Sequence, residues 1–249
     1  MTPVEHFKEF FDIFPANNPE LIEKTFKIRH QVYCREFNYL PWKEDGPEIE
    51  SDEYDVQSMH CLMIHKPTKL YAGSARLVLA NVNKPELPLP FEKYCSTSLD
   101  KSFFDPDEFF PGQIAEFSRM AVIEEFRRRD GMEKKNLHAG NPLNEHRVSN
   151  FPVIPVCLIL ASLSMLIASS ADYGFAMMEP RLERLMRRYG IIFESAGEPI
   201  DYHGWRSPYI IHRDNVTRYF KHGVGDLFFE VNQRLQSSVD HASQLNTAS

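Results

Sequence analysis

Glu116 and Arg119 stand three residues apart inside QIAEFSRMAVIEEFRRR (Gln113 to Arg129), a run that begins apolar and strand-like and ends in three arginines. In a regular strand such a pair would point to opposite faces, because side chains alternate. A bulge near Phe117 or Ser118 would re-aim the side chains beyond it and bring both charges to one face, and bulges are enriched beside active sites. A carboxylate and a guanidinium on a buried strand cost much to desolvate unless they meet each other or a ligand. Two readings are open: an ion pair tying strand to helix, or a site that handles a polar substrate.

Other charges fall in equally apolar surroundings. On a helix expected over Pro19 to Tyr33, with Asn17, Asn18 and Pro19 as its start, Ile22, Phe26, Arg29 and Tyr33 form one stripe, so Arg29 either snorkels at the rim or reaches a buried anion. Arg76 sits within the strand-like YAGSARLVLA. The segment Glu36 to Asp55 is polar, contains Trp42 and ends in the acidic run ESDEYD. That run is either a solvated loop or a carboxylate cluster in which Asp52 and Asp55 hold an ammonium or basic side chains. It lacks the spacing and glycine of a calcium loop.

The elements that must position these groups can be read from the pattern. His60 to His65 and Tyr71 to Ala80 read as strands joined by a turn at Lys66 to Lys69. Asn81 to Pro111 reads as an irregular excursion with a short helix. Phe126 to Asn150 is the most polar stretch, and between Phe126 and Arg147 six cations face three carboxylates. It is expected to be a mobile basic loop (127–150), suited to an acidic macromolecule or a phosphate. Val148 to Ala171 carries no charge and approaches a membrane span in length; Pro152 and Pro155, together with Ser162, Ser164, Ser169 and Ser170, favour a helix buried against a sheet. Tyr173 to Met178 reads as a strand, and Glu179-Pro180 opens a helix through Tyr189. Ile191 to Ser195 and Pro208 to His212 read as strands flanking the turn-rich YHGWRS. A final helix from Asn215 to Leu235 leaves a tail, 236–249, expected to be disordered.

A chain of 249 residues that is 43% hydrophobic can bury one large core, so a single domain over 1–235 is expected. The net charge of −7 argues against nucleic acid as a partner. Cys34, Cys61, Cys95 and Cys157 are widely spaced, without zinc-ligand spacing, and read as reduced thiols of a cytoplasmic protein; no metal site is expected. The N-terminal MTPVEHFKEFF lacks the apolar core of a signal peptide.

Five collinear pieces carry a resemblance: IRHQVYCREF (Ile28 to Phe37), ESDEYD (Glu50 to Asp55), GSARLV (Gly73 to Val78), EFSRMAVIEEFRRR (Glu116 to Arg129) and EPRLERLMRRYGIIFESAGEPIDYHGWRSPY (Glu179 to Tyr209). The sequence resembles the acyltransferases associated with the PEP-CTERM/exosortase system, a branch of the Gcn5-related N-acetyltransferase superfamily related to acyl-homoserine lactone synthases. The resemblance implies an α/β (α+β) fold in which a mixed central sheet, with helices on both faces, splays at the central strand. It implies transfer of a long-chain acyl group from acyl carrier protein to the amine of an amino acid. No cofactor would be tightly bound. Glu116 and Arg119 would be the catalytic pair, Glu116 as base and Arg119 organising the site. The substrate-binding set would be Arg29, Tyr33, Trp42, Asp52, Asp55, Arg76 and Ser118, with Arg29 and Arg76 supplying counter-charge or holding the acceptor's carboxylate. The superfamily's coenzyme A motif is matched only by Arg128 and Gly131. That departure favours a carrier protein over acyl-CoA as donor, with Arg127, Arg128, Arg129, Lys134 and Lys135 as its docking residues. A homoserine lactone type synthase and a non-catalytic lipid-binding module are the alternatives. Contact with the inner face of the membrane is a further expectation, and the oligomeric state is left open.

Overall fold

The computed structural model describes residues 1–81, 84, 86–100, 109–110, 112–127, 151–221 and 223–246. The chain opens with a helix and strand the sequence pattern did not reveal. Helix α1 (Pro3–Phe10) is held by a capping box between Thr2 and Glu5, and runs into β1 (Phe11–Pro15). Helix α2 (Pro19–Arg29) starts where expected, with the Asn18 side chain accepting from the Leu21 N–H. It then widens into a π-helical turn over His30–Glu36 instead of staying α-helical to Tyr33. Such turns re-aim side chains and recur at functional sites.

Strands β2 (Ser58–His65) and β3 (Tyr71–Leu79) form the expected hairpin. The excursion contains the short helix α3 (Pro90–Cys95), and the central strand is β4 (Ile114–Val122). Helix α4 (Val153–Ala168) is apolar on all sides and buried accordingly. It links β4 to β5 (Tyr173–Met178), the parallel pair of an otherwise antiparallel sheet. Helix α5 (Pro180–Arg188) comes next, then β6 (Glu194–Ser195), β7 (Ile200–Asp201) and β8 (Trp205–His212). The sheet order is β1-β2-β3-β4-β5-β8-β6, with β7 on β8.

Three boundaries differ from expectation. Strand β6 has two residues. Strand β8 starts at Trp205, so part of the turn-rich YHGWRS is strand, because β7 supplies Trp205 and Arg206 with partners. Helix α6 (Val224–Asn246) begins later than Asn215 and extends past Gln236, so the expected disordered tail is helical as far as Asn246. No helix among the described residues is long and apolar enough to cross a membrane.

The main core packs the sheet against helices α4 and α6 and also takes in Ile28 and Val32 from α2 and the turn that follows it. A smaller cluster joins Tyr54, Val78, Phe91, Phe175 and Ile210. Two irregularities in the sheet open the site. Strand β4 pairs with β5 only from Ile114 to Phe117 and from Tyr173 to Ala176, after which β4 stays with β3 and β5 with β8. Register with β3 shifts so that Arg119 and Met120 face Ala75 alone, a bulge in which Arg119 takes φ +50°. At the fork the Phe117 ring lies over Gly174, where an added Cβ would come within 2.3 Å of it, so only glycine fits.

Candidate active site

The bulge brings Arg119 to an interlocked set of charges. Arg29 donates to Glu50 through Nε and to Asp55 through Nη1 and Nη2, at 2.5 and 3.2 Å. Arg76 donates to Asp52 at 2.6 and 3.0 Å, to Asp55 at 2.7 Å and to the Ser118 hydroxyl at 3.0 Å. Arg119 closes the set on Glu50 and Asp52, at 3.2 Å each. Three guanidinium groups thus meet three carboxylates. Burial pushes Asp52 and Asp55 up, but the hydrogen bonds and charges of Arg76 and Arg29 outweigh it and hold both carboxyls below their ordinary value. Burial likewise works against Arg29, and Glu50 with Asp55 overrides it. Glu50 lies in the same acidic run as Asp52 and Asp55, and reading that run as one unit would have found it.

Glu116 stands apart. It is 5% exposed and its carboxylate accepts from the Phe91 N–H at 2.8 Å, with no ion pair among the described residues. Burial raises its pKa to about 8 against the pull of that N–H and of Arg76 and Arg119. Glu116 and Arg119 do not pair with each other: of the two, Arg119 makes the structural ion pairs, and these tie β4 to the acidic loop and not to a helix. Both residues instead line one cleft of about 1010 Å³ that passes through the fork.

That cleft has two kinds of wall. Toward α4 and α5 it is apolar, with Phe117, Val122, Ile159, Leu163, Met178 and Leu185. On the other face it is polar, with Tyr33, Cys95, Glu116, Tyr202, His203 and Arg206, and its mouth carries Arg127, Arg181, Arg184 and Arg188. The Tyr33 hydroxyl donates to the Met120 carbonyl at 2.8 Å, and the Arg119 guanidinium lies over the Tyr33 ring.

Of the residues singled out from sequence, Tyr33, Glu116, Ser118, Arg119 and Arg127 line the cleft. Arg29 and Arg76, each 1% exposed, sit behind it with Asp52 and Asp55, their guanidinium groups engaged by the acidic loop. Trp42 packs on His30 and under Arg35, away from the cleft wall. Arg127 pairs with Glu36 and stacks on Phe37. Arg128, Arg129, Lys134 and Lys135 lie outside the described residues, as does most of the expected basic loop. All four cysteines are free and buried, and burial lifts each thiol, Cys95 to about 11 and Cys61 to about 12, which disfavours the nucleophilic thiolate.

Comparisons with known proteins bear on the fold. The family model described as "Acetyltransferase (GNAT) domain" matches residues 28–135. The fold is a GNAT-like mixed α/β fold, a mostly antiparallel, partly parallel sheet flanked by helices. No curated protein sequence matches. Similar solved structures include TofI in a ternary complex with an inhibitor and MTA (TM-score 0.57, 17% identity, covering 81% of this chain and 91% of that one). The CoA-dependent acyl-homoserine lactone synthase BjaI with SAM and isopentyl-CoA gives TM-score 0.56 and 18% identity over 88% of this chain and 87% of that one. FeeM, an N-acyl amino acid synthase from uncultured soil microbes, gives TM-score 0.54 and 12% identity over 84% and 95%. The domain match and the cleft together support an acyl-transfer enzyme.

Proposed function

We propose that the protein is an N-acyltransferase that moves a long-chain fatty acyl group from acyl carrier protein to the amine of an amino acid, giving an N-acyl amino acid. The observation that supports this most is the cleft through the fork, apolar on the α4 side and polar beside Glu116. An acyl chain suits the first wall and an amino-bearing acceptor the second.

The chemistry assigns roles. An ammonium cannot attack a thioester, so ionised Glu116 takes its proton, directly or through a water. The free amine attacks the thioester carbonyl, forming the N–C bond, and the C–S bond breaks to release the carrier's thiol. Backbone N–H groups withdrawn from the ladder at the bulge stabilise the oxyanion, and Arg119 holds the bulge against Glu50 and Asp52. Transfer is direct, because the raised Cys95 thiol is a poor relay. Arg181, Arg184 and Arg188 on α5, together with Arg127, suit an acidic donor such as a carrier protein.

FeeM, named as an N-acyl amino acid synthase, shares the fold, as do synthases named for acyl-homoserine lactones. The latter motivate a second reading, acylation of S-adenosylmethionine. A role beside a PEP-CTERM/exosortase system and a place at the cytoplasmic side of the membrane belong to the same proposal. Mass spectrometry of lipid extracts from an overexpressing host decides among the readings: N-acyl amino acids support the proposal, acyl lactones replace it with the second, and no new lipid leaves a binding module.

A further inference from the structure

The guanidinium of Arg206 takes no part in the acyl-transfer steps. Sheet register fixes its face: Glu116 pairs with Phe175 and Phe175 with Ile210, and two-residue steps along β8 lead from Ile210 through Pro208 to Arg206. Arg206 and Glu116 therefore project from the same side of the sheet, on opposite banks of the fork, and both line the cleft. The Nε of Arg206 is buried and has no hydrogen-bond partner among the described residues, and no carboxylate there pairs with the guanidinium. Arg76 also leaves its Nε unpartnered, but its other nitrogens are fully engaged by Asp52, Asp55 and Ser118. A buried donor left unpaired is costly unless a ligand completes it.

The surroundings narrow the ligand. Arg206 acts electrostatically on Tyr33, Cys95 and His203, and Cys95 feels Glu116 as well, so both charges bear on the same cleft-lining side chain. Four cleft-lining rings contact one another in series: Phe37 on Tyr39 at 5.0 Å, Tyr39 on His203 at 5.2 Å and His203 on Tyr202 at 4.9 Å. His203 joins the series in a tight turn at φ +55°. A proton acceptor on one bank and an unsatisfied planar cation on the other, in a cleft also lined by aromatic rings, match a zwitterion.

We propose that Arg206 holds the carboxylate of the acceptor while Glu116 receives the proton of its ammonium, an inference that rests on the N-acyltransferase reading. The carboxylate role expected for Arg29 and Arg76 then passes to the arginine that faces the cleft. A planar guanidinium binds a carboxylate in a fork that lysine or glutamine cannot reproduce.

The test compares acceptors in purified full-length enzyme supplied with a long-chain acyl carrier protein. Wild type is assayed against the twenty amino acids, and the best of them is compared with its carboxamide. Wild type should prefer the free acid by about 10- to 100-fold in kcat/KM. Arg206→Gln should abolish that preference through KM for the acid, leaving kcat/KM for the carboxamide within about threefold, and Arg206→Lys should retain part of it. If the glutamine variant does not fold, the lysine variant decides by the same ratio. A preference that survives in Arg206→Gln, equal losses with both acceptors, or a wild type indifferent to the carboxylate overturns the role of Arg206 while N-acylation stands. Wild type that acylates no amine overturns the function and the inference together.

Discussion

The Tyr33 hydroxyl, on the π-helical turn after α2, donates to the carbonyl of Met120 on the bulge of β4, across 87 positions of sequence. This bond joins the two irregular pieces of backbone that shape the cleft. Neither piece is regular by itself, and the bond ties one to the other.

Removing the bond should therefore loosen the bulge. Tyr33→Phe leaves the ring and takes the donor, and should cost about 1 kcal/mol, or roughly 2–4 °C in Tm for a chain of this size. Turnover should fall more than stability suggests if, as proposed, the oxyanion donors are the backbone N–H groups of the bulge. Calorimetry beside steady-state rates checks this; an unchanged rate with lowered Tm would show that the bulge holds itself.

The arginines behind the cleft should behave as structure. Arg29→Ala strands Glu50 and Asp55 without their main partner in a buried site and should cost about 3–5 kcal/mol, enough to lower soluble yield. Denaturant titration measures it. A loss of activity in a fully stable Arg29→Ala protein would return Arg29 to the substrate-binding set.

Glu116 should show opposite effects on stability and rate. Its folded pKa, about 8, lies above that of an unfolded glutamate, so the folded state holds the extra proton between these values. Its contribution to stability therefore declines as pH rises from about 4.5 toward 8. Over the same window kcat/KM should rise as the carboxylate forms, levelling above pH 8. Glu116→Gln should lower turnover by about 10² or more, flatten both profiles and be the more stable protein at about pH 8. A pH-rate profile and Tm measured from about pH 5 to 9 test this; near-normal turnover in the variant removes Glu116 as the base.

Donor recognition should be electrostatic. Arg184 and Arg188 stand at the mouth of the cleft, and reversing both to glutamate should raise KM for acyl carrier protein about tenfold while barely changing kcat. The effect should shrink in high salt. Equal KM values for variant and wild type at low salt would move docking to another face.

Much of this was legible from residue types. Arg29, Arg76, Glu116 and Arg119 stand out because charges in apolar runs are expensive. Sharing a face requires of Glu116 and Arg119 a bulge, expected near Phe117 or Ser118 and found at Arg119 and Met120. Strands β2, β3 and β5 and helices α2, α4 and α5 could be read from periodicity and caps. Helix α1 and strand β1 escaped because an eight-residue helix and a five-residue strand are too short to establish a period. The division of labour among the charges was beyond the sequence. Arg29, Arg76 and Arg119 are alike as residue types, yet Glu50, Asp52 and Asp55 bind all three and, among the described residues, leave Arg206 without a carboxylate, because pairing depends on distances set when the acidic loop folds over β3. Identity revealed which groups are costly to bury; which of them a neighbour compensates, and which still await a ligand, is decided only when strands far apart in the chain are laid side by side.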